Sequence, residues 1–216
     1  MVFTNPCHYK SSGFKSYAIF SASQVVFKSN QSYQGRGVFL LTSQNFNIES
    51  IERYGDGTVQ EYIHQHSFFD EFTSDSVGNL RITTVMNLQN KPSLRSCYLR
   101  LGQKNDQHVK SENHIRIPID LSSGKLFDTG YLANWQQINM HPQSNILFAN
   151  KQVPCIHKCI DLVLGLHMKM PMVQCIGWDL AINDQDQPVV MEWNGYGNDI
   201  KFSEATQGPC FKDLNW

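Results

Sequence analysis

Two carboxylates and a carboxamide late in the chain have a spacing that can bring them to one face of a hairpin. They lie in CIGWDLAINDQDQPVVMEWN, Cys175 to Asn194. A turn centred between Gln185 and Asp186 pairs Ile182 with Val189, Leu180 with Met191 and Trp178 with Trp193. These apolar residues then share one face, because side chains alternate with period two along a strand. The other face carries Asp179 across from Glu192 and Gly177 across from Asn194, and a slip of one residue would mix the two faces. Two unpaired carboxylates with β-carbons roughly 5 Å apart repel, and one takes up a proton. A hard divalent cation removes that conflict. Asp, Glu and Asn oxygens suit Mg2+, which keeps its other positions for water and substrate phosphates. Gly177 would leave room beside Asn194, and Trp193 would be a core residue. The alternative is the solvent-facing polar side of an edge hairpin.

A second group of residues suits phosphate. Lys28 ends an apolar strand and is followed by SNQSYQGRG, Ser29 to Gly37. A loop of small and polar residues can turn backbone N–H groups toward phosphate oxygens, and a lysine at its mouth adds a point charge. The pattern is not a Walker A loop, where Lys and Ser/Thr follow the second glycine and open a helix. Further along, Gln60, Glu61, Tyr62 and Ile63 end a strand whose backbone could meet a base edge.

The elements that must position these residues are mostly strands: 24–28, 38–42, 58–63, 79–88, 94–101, 114–119, 173–182 and 188–193. A short helix is expected over 47–54, and the strongest over 153–168, where Ile156, Ile160, Val163, Leu164 and His167 recur at helical spacing before Pro171. Residues 121–124 read as a turn. The first 20 residues and the stretch after Asp199 look irregular. Strands outnumbering helices imply an α+β chain with antiparallel sheet. Of 216 residues, 41% are hydrophobic and 17% charged, with a formal net charge of −1, which excludes a disordered chain and gives no bulk attraction to nucleic acid or anionic membrane. No apolar run is long enough to span a bilayer and no signal peptide is visible, so a cytoplasmic protein is expected. Cys155, His157 and Cys159 lack the second cysteine cluster of a structural zinc site, and the cysteines read as reduced thiols.

Taken in order, a lysine before a glycine-bearing hairpin, a strand ending in Glu-aromatic-apolar, then Asp and Glu-x-Asn on successive strands resemble the ATP-grasp superfamily. The run IGWDLAI…PVVMEWN resembles its sugar-transfer-associated branch, as do Asn79-Leu-Arg81-Ile-Thr-Thr, Arg100-Leu-Gly, Glu112-Asn113 and His141-Pro142. The likeness runs from about Gln24 to Asn198.

The resemblance implies an ATP-grasp fold within one domain over 1–216. Two α+β subdomains with antiparallel sheets would grip ATP, residues 24–63 forming the smaller nucleotide-covering part and 64–216 the larger part with the metal site. It implies an ATP- and Mg2+-dependent ligase that phosphorylates a carboxylate and passes the acyl group to an amine. Lys28 would contact the nucleotide phosphates, with Gln34, Gly35, Arg36 and Gly37 covering them. Gln60, Glu61, Tyr62 and Ile63 would meet the adenine, and Asp179, Glu192 and Asn194 would hold Mg2+. Arg81 and Arg100 would stabilise the transferred phosphoryl group or the acceptor carboxylate, since a planar guanidinium binds such oxygens bidentately. Surface or inter-subdomain salt bridges are the alternative for both. Asp70 and Glu71 are the candidates for the ribose. His64 and His66 read as loop residues.

The branch implies a substrate such as a uronic acid or sugar-linked acid in polysaccharide or cell-surface glycan biosynthesis. Family members usually carry a further N-terminal region before the lysine strand, with another nucleotide-contacting lysine. A shortened N-terminal region is therefore expected, with a homo-oligomer or a partner chain completing the fold. Two other readings use the same ATP site: a nucleotide- or partner-binding module without turnover, and a kinase acting on a sugar hydroxyl.

Overall fold

Val25, Phe27 and Val59 fall two residues apart on neighbouring strands, so they must point to one side, and they form a buried core with Leu41 and Ile51. The computed structural model describes residues 7–9, 24–33, 36–103 and 114–214. They divide into two compact units, with the boundary between Ile63 and His64. The smaller holds strands β1 (Cys7–Tyr9), β2 (Gln24–Tyr33), β3 (Arg36–Thr42) and β4 (Gly57–Glu61), with helix α1 (Ile48–Arg53) between β3 and β4. Its antiparallel sheet runs β1-β4-β2-β3. The Asn47 side chain accepts the Glu49 backbone N–H at 2.9 Å and starts α1. At Gly57 a β-carbon would lie 2.4 Å from the Phe27 ring, so glycine is what admits that ring.

The hairpin of this unit is longer than its sequence suggests. β2 continues past Lys28 to Tyr33, where Tyr33 pairs with Arg36, and an irregularity separates the Lys28 and Tyr33 pairings. Lys28 is therefore a mid-strand residue rather than the mouth of a loop over 29–37. Polar residues that read as loop are held in extended backbone by cross-strand pairing.

The larger unit contains helices α2 (Ser67–Asp70), α3 (Ile156–His167) and α4 (Ile200–Gln207). Its strands are β5 (Asn79–Met86), β6 (Pro92–Leu101), β7 (Ile115–Pro118), β8 (Gly130–Tyr131), β9 (Gln137–Ile138), β10 (Cys175–Ile182) and β11 (Pro188–Asn194), in sheet order β11-β10-β5-β6-β7-β8-β9. The alternation of the sequence becomes two buried faces. Leu80, Ile82, Cys97, Leu99, Ile115, Ile117, Ile176, Trp178, Leu180 and Ile182 join Ile156, Cys159, Val163 and Leu166 of α3 in one apolar core. The residues between them point the other way: Asn79, Arg81, Thr83, Ser96, Arg116 and Asp179, all buried and all polar.

A buried polar network ties α3 to the sheet. The Trp178 Nε1–H donates to Thr84 Oγ1 at 2.8 Å, and Thr84 Oγ1 lies 2.7 Å from His167 Nδ1. His167 Nε2 lies 2.7 Å from the Val173 carbonyl, which can only accept. That contact puts the ring proton on Nε2 and leaves Nδ1 to accept the Thr84 hydroxyl. Burial pushes the His167 pKa down, as a neutral ring in this network requires. Among the described residues no helix is long and apolar enough to cross a membrane.

Three expectations fail here. The stretch after Asp199 is not irregular but contains α4, which buries Phe202 and Ser203. The β10–β11 hairpin closes around Gln185, not between Gln185 and Asp186: the Asn183 carboxamide accepts the backbone N–H groups of Gln185 and Gln187 at 3.1 and 2.8 Å. Ile182 therefore pairs with Pro188 and Leu180 with Val190. A bulge between Asp179 and Leu180 absorbs Met191 before Asp179 meets Glu192, Trp178 meets Trp193 and Gly177 meets Asn194. Trp193 is not a core residue. It is 49% exposed, against 1% for Trp178 across from it, because β11 is the edge of the sheet. Trp178→Ala is expected to cost about 3–5 kcal/mol and Trp193→Ala less than about 1.5 kcal/mol. Urea midpoints of the two variants check this, and equal shifts would contradict the burial contrast.

Candidate active site

Asp179 stands at the centre of the polar face. It pairs with Arg81 of β5 on one side and Glu192 of β11 on the other. The Arg81 fork donates to both its oxygens, Nε to Oδ1 at 2.5 Å and Nη2 to Oδ2 at 3.0 Å. Arg100 of β6 adds Nη2 to Oδ2 at 2.6 Å, and its Nε donates to Asn79 Oδ1 at 2.7 Å. Burial favours the neutral acid, but the charges of Arg100 and Arg81, the hydrogen bonds from Arg81 and the one shared with Glu192 outweigh it and hold the Asp179 carboxyl at about 2. Burial likewise opposes the charge of Arg81, and Asp179 more than compensates, so its pKa is raised.

The like-charge conflict that the sequence placed between Asp179 and Glu192 is thus relieved on the Asp179 side by two guanidiniums. A carboxylate presents about four lone-pair positions, and these donors occupy three. Glu192, exposed on the adjacent strand, is hydrogen-bonded with Asp179, and its Oε1 accepts Asn194 Nδ2 at 3.3 Å. That donor chemistry fits Mg2+. Among the described residues no group of three or more His, Cys, Asp or Glu side chains could hold a metal, so a cation here would depend on the carboxamide and on ligands from outside the chain.

Gly177 does a different job from the one its position suggested. A β-carbon there would lie 2.8 Å from the Asn198 carbonyl oxygen and 3.1 Å from its Cα. The space is filled by the chain returning across the sheet after β11, not by Asn194. That return brings the Asn198 carbonyl to Arg81 Nη1 at 2.8 Å, and next to it Asp199 accepts the Tyr98 hydroxyl at 2.6 Å. Tyr98 is fully buried, and burial raises its pKa well above that of a free phenol. Tyr98, Asn198 and Asp199 were not singled out as site residues. The inward parity of Tyr98 beside Arg100 was their one sequence signal.

The two arginines and the three metal candidates therefore belong to one cluster. Neither arginine makes a surface bridge; both converge on Asp179. In the smaller unit Lys28 pairs with Thr58 and Val26 with Gln60, which sets Lys28 and Gln60 on the sheet face away from the Phe27 core. Glu61 ends β4, and Tyr62 and Ile63 follow it. Gly37 has φ of +85°, a conformation open to glycine, and Arg36 opens β3. Gln34, Gly35, Glu112 and Asn113 lie outside the described residues. Of the ribose candidates, Asp70 accepts Gln65 Nε2 at 2.7 Å and Glu71 is ion-paired with Lys151. His66 caps α2 by accepting the Phe68 backbone N–H.

A profile of the sugar-transfer-associated ATP-grasp family matches residues 53–214. The chain belongs to this family. Its fold is that of ATP-grasp ligases, a mixed α/β chain with antiparallel sheets. The N5-carboxyaminoimidazole synthetase of Staphylococcus aureus complexed with ADP superposes with a TM-score of 0.55 at 10% identity, over 94% of this chain and 43% of that one. The L-amino acid ligase of Bacillus licheniformis gives 0.53 at 12% identity, over 93% of this chain and 38% of that one. The chain spans about two fifths of the length of these structures. Comparison with curated proteins gave no match.

Two outcomes test the geometry of this ATP-grasp cluster. Gly177→Ala forces Asn198 away and is expected to weaken the Arg81 anchor, lowering stability by about 1–3 kcal/mol, which a urea midpoint reads; an unchanged midpoint would mean the return segment is not pressed on β10. Asp179, whose folded pKa lies below the usual 3.8, adds stability that is full above pH about 4 and vanishes as pH falls toward 2, a loss of about 2 kcal/mol. The steep acid limb of wild-type stability is expected to flatten in Asp179→Asn.

Proposed function

We propose that this ATP-grasp chain works as an ATP- and Mg2+-dependent ligase that activates a carboxylate as an acylphosphate and transfers the acyl group to an amine. One observation carries the reading: Asp179 faces Glu192 across β10–β11 with Asn194 on the same face, while Arg81 and Arg100 converge on that same carboxylate. Phosphoryl transfer to a carboxylate brings two anions together, and it needs positioned cationic groups more than a protein nucleophile. Asp179, Glu192 and Asn194 would hold Mg2+, which when bound neutralises charge on the nucleotide phosphates. Arg81 and Arg100, fixed in orientation by Asp179, Asn198 and Asn79, would meet the negative charge that develops on the transferred group. Lys28 would contact the phosphates, Gln34, Gly35, Arg36 and Gly37 would cover them, and Gln60, Glu61, Tyr62 and Ile63 would meet the adenine.

The reading takes as acceptor a uronic acid or sugar-linked acid, in the making of polysaccharide or cell-surface glycan, with an amine as second substrate; the family's sugar-transfer association supports the sugar part of it. A cytoplasmic setting and a homo-oligomer or a partner chain fit the same reading.

The test is thermal unfolding with ATP, with and without Mg2+. ATP at a hundred times its dissociation constant adds about 2.7 kcal/mol, a few degrees at this size. Wild type is expected to show a Mg2+-dependent shift. Glu192→Ala is expected to lose it while unfolding at the wild-type temperature without ligand, because Glu192 is exposed. A full Mg2+-dependent shift in the variant would remove Glu192 from the metal set.

A further inference from the structure

A third arginine on the polar face makes no ion pair with any described residue. Arg116 of β7 lies across from Arg100 and is only 7% exposed. Its guanidinium carbon sits 4.8 Å from the Trp135 ring centroid and 4.5 Å from that of Phe202. The two rings, 5.7 Å apart, form one platform beneath it. Its Nε–H is buried without a partner, and Nη2 reaches only the Leu132 carbonyl, at 3.4 Å. Among the described residues no carboxylate lies within ion-pair distance of it. Asp199, which accepts the Tyr98 hydroxyl, favours the Arg116 cation from beyond ion-pair distance, while Asp179 is taken by Arg81 and Arg100.

A buried cation whose counter-charge stays beyond ion-pair distance is costly unless something supplies a closer one. Other features fit a ligand as that supplier. Trp135 keeps its ring over Arg116 with a φ of +69°, a conformation costly for a bulky side chain. The same ring is 46% exposed, with Tyr131 edge-on to it at 6.1 Å. An apolar wall open to solvent thus stands beside a guanidinium whose Nε–H lacks an acceptor.

We propose that Arg116, on the Trp135–Phe202 platform, seats an oxyanion of the acceptor, a carboxylate or a phosphate ester, whose carbon skeleton lies against Trp135 and Tyr131. The inference rests on the ligase reading only in calling this ligand the acceptor. Arg116 is three strands from Asp179 in the sheet order, roughly 14 Å at the usual strand spacing. The seat therefore selects among acceptors by a charged group apart from the metal cluster.

Calorimetric titration of the full chain with glucuronate, glucose 6-phosphate and glucose tests this, alongside the ATP and Mg2+ thermal shift. Wild type is expected to bind at least one of the two anions and not glucose. Glucuronate alone identifies a carboxylate seat, and glucose 6-phosphate alone a phosphate-ester seat. Arg116→Gln is expected to weaken anion binding about tenfold or more, and Arg116→Lys less, since lysine keeps the charge but loses the flat fork. Trp135→Ala, which alters a half-exposed ring, is expected to weaken it about threefold or more and serves as the test if Arg116→Gln does not fold. The ATP shift is expected to persist in every variant. Failure of both anions to bind wild type, or unchanged affinity in Arg116→Gln or in Trp135→Ala, overturns the proposal. Arg116-dependent anion binding without any ATP shift would leave the seat standing and refute the ligase reading instead.

Discussion

One buried carboxylate shared by two guanidiniums organises the larger unit. Asp179 is buried, so its charge persists only because Arg81 grips it with two donors and Arg100 with a third. Removing any partner would strand the others. The neighbours obey that requirement: Asn79 fixes Arg100, the Asn198 carbonyl fixes Arg81, and Gly177 is small enough to let the Asn198 backbone approach. The surrounding strands are spaced so that these groups fall opposite one another.

The sheet divides two tasks between its faces. The side toward α3 is apolar and supplies the core, and the His167–Thr84–Trp178 network adds a directional lock to it. The opposite side keeps arginines, a tyrosine and an aspartate away from bulk water, where charged contacts are stronger and cannot relax toward solvent. The proposed phosphoryl transfer would benefit from that rigidity, since groups already oriented need no reorganisation when charge develops.

Much of this was legible as parity. In NLRITT, SCYLRL, IRIP and IGWDLAI the apolar residues take alternate positions, which assigned Asp179 and Arg81 to the face away from the core and marked Ile156, Ile160 and Val163 as the buried stripe of a helix. Parity says nothing about which residues meet across strands distant in sequence, so the convergence of Arg81 and Arg100 on Asp179 stayed hidden, as did the isolation of Arg116. Exposure at the sheet edge was equally invisible, because Trp193 has the same alternation as Trp178 and differs only in having no strand beyond it. Helix α4 escaped notice for a local reason. Its cap, Asp199, is left-handed with no side-chain capping bond, and it buries only Phe202 and Ser203, so contacts with β6 and β7 sustain what local signals do not announce.

The bulge at Met191 makes the opposition of Asp179 and Glu192 a matter of counting. From Ile182–Pro188 the strands run in step to Leu180–Val190, and an unbroken ladder would then set Met191 against Asp179 and turn Glu192 toward the apolar core. The extra residue restores the frame after a loop that closes one position early. Loop length and bulge thus act as a compensated pair of frameshifts. In homologous chains, one residue gained or lost in the 183–187 loop would keep the carboxylates together only if the strand beyond it changed its count to match.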